Sequence, residues 1–468
     1  MFGFSKEISL KKEILYFLDK QEAYVSSTDI SNYIQSLTSQ TIRKYLKEIV
    51  ERFSLLYPKE RMELKIGTRY GIYLARKGAN FDVYLEELYT QTITYQVYQQ
   101  LILYRSFAVD EFCQTNQISL STLRRTIKKI NEAITGYSLY LKIGTKVTII
   151  GDEKQIRLLF FMVLYTVHRK SSAIQWLKSE KYCALSQQIC EAFYIVPNAE
   201  QIDMLGIWLF INYQSDELGK KLEPNLEEQY PTIVLPKHEM SSDTWEFVLL
   251  IMYSLDLLPF EPELSFEKIH YNYFSDITRQ WLRFFEHNVR YLLPEEKQAL
   301  YLQMYKLAIL NRIVPIFDEV RTVFSVVDET TIKEMYPYFW RDFEKSWQEF
   351  IRHYGLSGNQ MCKQVILAWT LQYAPHERLF PSVTIYFQSS LSQMNQCLIK
   401  KTIHAKLSNT AAITFVSEKA RADLILSTES AKYGILINSK LSEKDFAHIK
   451  EEIKKLIQHQ TPFLCVAK

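Results

Sequence analysis

Two stretches decide the reading of this chain: "SLSTLRRTIKKI", Ser119 to Ile130, and "LYLKIGTKVTIIG", Leu139 to Gly151. The first carries apolar residues at three- and four-residue spacing. The second sets a Gly-Thr pair between short runs of β-branched residues. They read as an amphipathic helix and then a β-hairpin. Both have an earlier counterpart, "TSQTIRKYLKEI" from Thr38 to Ile49 and "MELKIGTRYGIYLA" from Met62 to Ala75. The helices each place a Ser or Thr three residues before a Thr, then an aliphatic residue, an Arg and a second cation. The hairpins share "LKIGT", at Leu64 to Thr68 and Leu141 to Thr145. Repetition on this scale marks one structural unit present twice.

At about 100° per helical residue, Ile42, Leu46, Ile49 and Phe53 fall on one face, and Gln40, Arg43, Lys44 and Lys47 on the other. The second copy sets Leu123, Ile127, Ile130 and Ile134 against Ser121, Arg124, Arg125 and Lys128. A helix that starts on a Ser/Thr cap, buries one face and offers cations on the other meets the needs of a major-groove reader. Two shorter helical patterns precede each: "SLKKEILYFLDKQ" and "SSTDISNYIQ", then "TITYQVYQQLILYR" and "AVDEFCQTN". Three helices and a hairpin in this order make a winged helix-turn-helix, whose third helix enters the groove and whose wing can touch phosphates or the minor groove. One basic amphipathic helix is ordinarily just solvated surface. Two with matching cations, each followed by a basic hairpin, point to DNA. The expected contacts are Gln40, Thr41, Arg43, Lys44, Lys47, Lys65 and Arg69 in the first copy. In the second they are Ser121, Thr122, Arg124, Arg125, Lys128, Lys142 and Lys146.

The charge distribution agrees. Residues 1–150 hold 21 Lys+Arg against 15 Asp+Glu, or +6, and the rest hold 35 against 38, or −3. A positive excess confined to one third of the chain suits a polyanion partner for that third alone. At 468 residues the chain is too long for one core, so several domains are expected. The longest apolar runs, such as "LLFFMVLY", are far shorter than a membrane span, and the first residues show no secretory pattern. A cytoplasmic protein without membrane contact is expected. The six cysteines show no CxxC pair or Cys/His ladder, so neither a disulfide framework nor a metal site is expected.

From Glu153 to about Pro375 helical patterns dominate, as in "EKQIRLLFFMVLYTVH", "NAEQIDMLGIWLFINY" and "YFWRDFEKSWQEFIRHYG". Proline-marked interruptions at "KLEPNLEEQYPTIVLPK" and "LLPFEPELS" divide them into two bundles. After "APHERLFPS" short strands such as "VTIYFQSS" and "AAITFVS" alternate with helices, which indicates a small α/β sheet domain. The expected fold is mainly α and multi-domain. Its parts are winged helices at 1–78 and 79–152, bundles at 153–262 and 263–378, and an α/β domain at 379–468.

This order of parts resembles the Mga/AtxA family of virulence regulators of Gram-positive bacteria. The resemblance spans the whole chain and rests most on "TIRKYLKEI", "TLRRTIKKI" and the two "LKIGT" segments. It implies that the bundles are phosphotransferase-system regulation domains (PRDs) and that the tail is similar to the EIIB component of sugar phosphotransferase systems. It further implies a regulator that binds promoter DNA as a homodimer or larger oligomer and takes phosphate on histidines from a phosphocarrier protein. PRDs commonly place a histidine late in their last long helix. The matching stretches here, "IWLFINY" and "LAWTLQY", carry Phe210 and Trp369-Thr370 instead. The candidate phosphoacceptors are therefore His168 and His353. An EIIB protein carries a cysteine just after its first strand. Here that position falls in "FQSS", and Cys397 lies in the following helix, which favours a docking or dimerisation role.

The expected function is a DNA-binding transcriptional regulator, an activator or global regulator of virulence or metabolic genes, tuned by the phosphotransferase system and by oligomerisation. No enzyme activity, cofactor or metal is expected. The alternatives are a phosphocarrier component of that system and an RNA-binding antiterminator with PRDs.

Overall fold

The computed structural model describes residues 2–67, 70–222, 240–254, 273–288, 291–313, 329–354, 363–374, 379–429 and 434–460. The chain forms two compact units, Met1–His270 with Lys306–Phe324 and Tyr271–Tyr305 with Ser325–Lys468. The described residues are mainly helical, 64% of them in helices, with small antiparallel sheets and a four-stranded parallel sheet near the end.

The first unit opens with α1 (Lys6–Asp19), α2 (Ser27–Tyr33), α3 (Ser39–Leu56) and a hairpin of β1 (Met62–Gly67) and β2 (Gly71–Arg76). Each early helix starts where a side chain can satisfy its free amides. Ser26 and Asp29 form a reciprocal capping box on α2, and Thr38 Oγ1 accepts from Thr41 N at 3.3 Å on α3. Ile42, Leu46, Ile49 and Phe53 are the buried stripe of α3, as the periodicity predicts. They pack with α1, the hairpin and the residues at the start of the next helix, α4 (Asp82–Thr90), which closes this core with Phe81 and Tyr84.

The order then repeats: α5 (Ile93–Tyr104), β3 (Ser106–Ala108), α6 (Val109–Thr115), α7 (Leu120–Ile134), β4 (Tyr140–Ile143) and β5 (Lys146–Ile150). Strands β3, β5 and β4 form an antiparallel sheet in that order. The first copy keeps only a trace of β3, a single bridge between Val25 and Ile72. The stripe of α7 is Leu123, Ile127, Ile130 and Ile134, again as expected.

The shared "LKIGT" turns differently in the two copies. Ile66 pairs with Ile72 across residues 67–71, whereas Ile143 pairs with Val147 across residues 144–146. The first wing is therefore two residues longer. Its return strand starts on Gly71 at φ +98°, where a Cβ would lie 2.6 Å from the Val25 carbonyl oxygen. Only glycine fits both the backbone angle and that approach.

The segment before α1 belongs to the second copy's core, which periodicity does not reveal. Phe2 is fully buried, its carbonyl accepts from the Tyr98 hydroxyl at 3.0 Å, and Phe4 meets Tyr89 edge-on. This threads the chain's first residues under α5.

Four further helices follow in this unit: α8 (Glu153–His168), α9 (Ser179–Ala192), α10 (Ala199–Glu217) and α11 (Ser242–Ser254). Apolar residues cover α8 and α11 on nearly all sides, as interior helices require. Asp152 caps α8 through the amides of Lys154 and Gln155, and Asn198 and Gln201 form a capping box on α10.

The other unit holds α12 (Tyr273–Asn288), most of α13 (Pro294–Ile313), α14 (Glu329–Met335), α15 (Pro337–Tyr354) and α16 (Lys363–Tyr373). Trp281 of α12 is buried against Phe343, Trp347 and Phe350 of α15, with ring centroids 5.2–6.0 Å apart. Next come β6 (Ser382–Gln388), α17 (Gln393–Leu407), β7 (Ala412–Val416), β8 (Leu424–Ser427), β9 (Ile435–Leu436) and α18 (Glu443–Gln460). The sheet is parallel in the order β7-β6-β8-β9. Val383, Ile385 and Phe387 alternate into a core completed by Ile399 and Ile403 of α17 and Ile449 and Ile453 of α18. The expected α/β character of the tail is therefore seen.

Candidate nucleic-acid interface

Burying one stripe of α3 and α7 leaves the opposite face in solvent. Gln40, Arg43, Lys44 and Lys47 are exposed on α3, and Ser121, Arg124, Arg125 and Lys128 on α7. Thr41 and Thr122 are half-buried, and their hydroxyls lie 3.0 Å from the cap hydroxyls of Thr38 and Ser119. These two threonines brace the helix starts. On the wings, Lys65, Lys142 and Lys146 are exposed, while Arg69 lies outside the described residues.

The two cationic faces are not equivalent. On α3, Arg43 Nε donates to Ser27 Oγ at 3.4 Å, and Lys44 lies 3.8 Å from Glu48. Glu48 is itself bound to the buried Lys11 at 2.7 Å. On α7, Lys128 approaches Glu132 at 4.0 Å, but Arg124, Arg125 and the exposed Lys129 have no acidic partner among the described residues. Their charge is thus available to an external anion. Lys129 was absent from the expected contacts because the wheel sets it toward the edge of the polar face.

A second cluster fixes α5 to the helices behind it. Arg105 ends α5 in the left-handed conformation at φ +63°, is buried, and lies over the Phe160 ring. Its Nη2 donates to Glu153 Oε1 at 2.5 Å and to Ser215 Oγ at 2.6 Å. Burial lowers its pKa to about 10, so the guanidinium remains charged at neutral pH. Glu153 Oε1 also accepts from Arg157 Nε at 2.9 Å. Fully buried Arg157 continues to Asn212, Thr244 and Asp216 at 3.0–3.2 Å. A run of charge-assisted bonds therefore joins α5, α8, α10 and α11. Sequence reasoning missed it, since Arg105 lies 48 residues from Glu153 and only the polar pair Glu153 and Arg157 within the apolar α8 pattern hints at the cluster.

Residues 78–165 match the Mga helix-turn-helix domain. The chain carries an Mga-type helix-turn-helix domain. No curated protein matches the chain. The Mga match begins just before α4 and ends within α8, so it contains α7, its wing, and both Arg105 and Glu153. An Mga helix-turn-helix domain is a feature of DNA-binding transcriptional regulators. The first copy, with α3, lies outside the matched residues. Among the described residues, no helix is long and apolar enough to cross a membrane.

His168 closes α8 immediately beyond the Mga match and is buried. Its Nε2 lies 2.6 Å from the Tyr95 hydroxyl and its Nδ1 lies 2.8 Å from Glu86 Oε1. Trp176 Nε1 donates to the same Tyr95 oxygen at 3.2 Å. Burial raises the Tyr95 pKa to about 12, so the phenol keeps its proton. With a neutral imidazole every group is matched. Trp176 donates to Tyr95, Tyr95 donates to Nε2, and Nδ1–H donates to Glu86, an assignment drawn from the network. His353 is exposed in the last turn of α15. Of the remaining histidines between Glu153 and Arg378, His287 is exposed near the end of α12, and His238, His270 and His376 lie outside the described residues.

In the C-terminal sheet domain, the loop after β6 is tied internally. Ser390 N donates to Glu429 Oε1 at 2.7 Å, and Gln396 Nε2 donates to the carbonyls of Ser389 and Leu391. Cys397 is exposed on α17.

Proposed function

We propose that this chain reads promoter DNA through two tandem winged helices, at 1–78 and 79–152, with α7 as the dominant reader. The observation that carries this reading is the α7 face. Arg124, Arg125 and Lys129 stand exposed without an acidic partner among the described residues, whereas the α3 cations are partly engaged by Ser27 and Glu48. Phosphate contacts fix register and orientation, and the polar groups at the helix start supply base readout. A mobility-shift titration of promoter duplexes tests it. Arg124→Ala/Arg125→Ala binds far more weakly than wild type; equal binding contradicts the role of α7.

Regulation is assigned to the remaining parts, with bundles at 153–262 and 263–378 acting as PRDs and 379–468 as an EIIB-like domain. His168 is suited chemically to accept phosphate. Glu86 holds Nδ1–H, which leaves the nucleophilic lone pair on Nε2, and Tyr95 covers that lone pair until it moves aside. Addition of nearly two negative charges there breaks the bond to Tyr95 on α5 and so perturbs the Mga domain. His353 offers an exposed second acceptor. Incubation with a phosphotransferase relay labels His168 or His353; label that survives mutation of both, or no label, contradicts the assignment.

Self-association is assigned to the α17 surface, where Met394 and Leu398 flank Cys397 on one exposed stripe. The loop after β6 lacks the cysteine of a phosphoryl-carrying EIIB, which favours a docking role for this domain. Changing Met394 and Leu398 to Asp leaves a smaller species in sedimentation; an unchanged species contradicts it.

A further inference from the structure

Beside the His168 network lies a cleft of about 290 Å³ between α4, α5, the end of α8 and the residues just after it. We propose that this cleft binds a small neutral polyhydroxylated molecule of monosaccharide size.

Its wall supplies the carboxamides of Gln96, Gln99 and Gln175, the carboxylate of Glu86 and the indole of Trp176. Gln96 spends one amide hydrogen on the Thr90 carbonyl at 3.2 Å. Gln99 and Gln175 make no side-chain hydrogen bond among the described residues, so both amides are available to a ligand. Each carboxamide offers a donor and an acceptor in one plane, and each sugar hydroxyl is both donor and acceptor, so the two sets are complementary. The indole is already oriented. Its Nε1 donates to Tyr95, and its ring meets Phe210 edge-on at 5.8 Å, which fixes an aromatic surface for the C–H face of a ring.

Charge narrows the class. No Lys or Arg lines the cleft, and Glu86 contributes a carboxylate. A phosphate ester would meet that carboxylate with no compensating cation, so the neutral sugar is preferred over its phosphate. The cleft is walled by α4 and α5 of the Mga domain on one side and by the end of α8 and its following turn on the other. On the reading of the chain as a DNA-binding regulator, occupancy therefore changes duplex affinity; the binding itself does not depend on that reading.

Isothermal titration of the full chain with glucose, galactose, mannose, N-acetylglucosamine and myo-inositol, alongside glucose 6-phosphate and spermidine, tests the site. At least one neutral compound saturates at one site per chain, and the phosphate ester binds at least about ten-fold more weakly, the loss expected when a binding-site charge is unmatched. Gln99→Ala/Gln175→Ala weakens the neutral ligand by about ten-fold or more while keeping the wild-type unfolding midpoint without ligand. Trp176→Phe, which keeps an aromatic wall, provides a second variant and also weakens binding. Absence of saturable heat with every neutral compound up to about 10 mM, well above ordinary millimolar affinity, overturns the proposal. So does undiminished binding by the double glutamine variant, or preference for spermidine or the phosphate ester. A parallel mobility shift separates the two readings: sugar binding without duplex binding upholds the site and overturns the regulator role.

Discussion

Arg105 at the end of α5 and Glu153 at the start of α8 share a 2.5 Å hydrogen bond, and the same carboxylate oxygen accepts from Arg157. One acidic group thus holds two buried guanidiniums, one of which belongs to the frame that carries α7. Replacing such a buried partner leaves uncompensated charge and commonly costs about 3–5 kcal/mol. Glu153→Ala is therefore expected to lower the unfolding midpoint of this unit by roughly 10 °C, read by scanning calorimetry. A midpoint unchanged from wild type contradicts the view that this carboxylate organises the junction.

Two small changes test the local geometry of the repeats. Ser119→Ala removes the α7 cap, at an expected cost of about 1 kcal/mol. Gly71→Ala forces a Cβ toward the Val25 carbonyl at positive φ, at about 1–3 kcal/mol. Gly144, which has open space around it, tolerates the same substitution far better. Denaturant unfolding of the three variants compares them directly, and an equal effect at Gly71 and Gly144 contradicts the proposed difference between the wings.

These positions show where the sequence was legible and where it was not. The buried stripes of α3 and α7, the caps at Thr38 and Ser119, and the alternating pattern of β6 could be read because each depends on spacing along one element. The solvent-facing cations of both helices followed as the complement of those stripes. The burial of Phe2, the Arg105–Glu153–Arg157 chain and the Tyr95–His168–Glu86 network could not be read, since each joins residues far apart in sequence whose types alone suggest surface or cap. The unequal wings were hidden for the opposite reason. An identical pentapeptide concealed a two-residue difference in the connection to the return strand.

Asp445 provides a pH test in the C-terminal domain. Burial would raise its pKa, but hydrogen bonds from Ser442 and Asn438 outweigh that effect and hold it below the usual carboxylate value. A depressed folded pKa contributes stability that is present above the unfolded value of about 4 and is lost as pH falls through the folded value. Asp445→Asn should therefore destabilise the domain at pH 7 and approach wild type in acid, once the pH has fallen through the depressed folded value. Unfolding followed at pH 7 and in acid measures this, and a difference that grows on acidification contradicts it.

Tyr95→Phe removes the hydroxyl that covers His168 Nε2 and accepts from Trp176. Leaving the Trp176 N–H unpaired is expected to cost about 1–3 kcal/mol. If His168 accepts phosphate, its initial labelling rate rises in this variant, read by mass spectrometry of the labelled peptide. A slower rate with folding retained assigns Tyr95 a positive role in transfer and contradicts the covering role given to it here.

Contact between α7 and the phosphates of duplex DNA is tested most directly by the salt dependence of binding. Each phosphate-contacting cation contributes close to one to the slope of log affinity against log salt. Wild type is expected to show a steep negative slope. Arg124→Ala/Arg125→Ala is expected to lower its magnitude by about two, with weaker binding throughout. An unchanged slope and affinity in the double variant, or no duplex binding by wild type at low salt, contradicts the account.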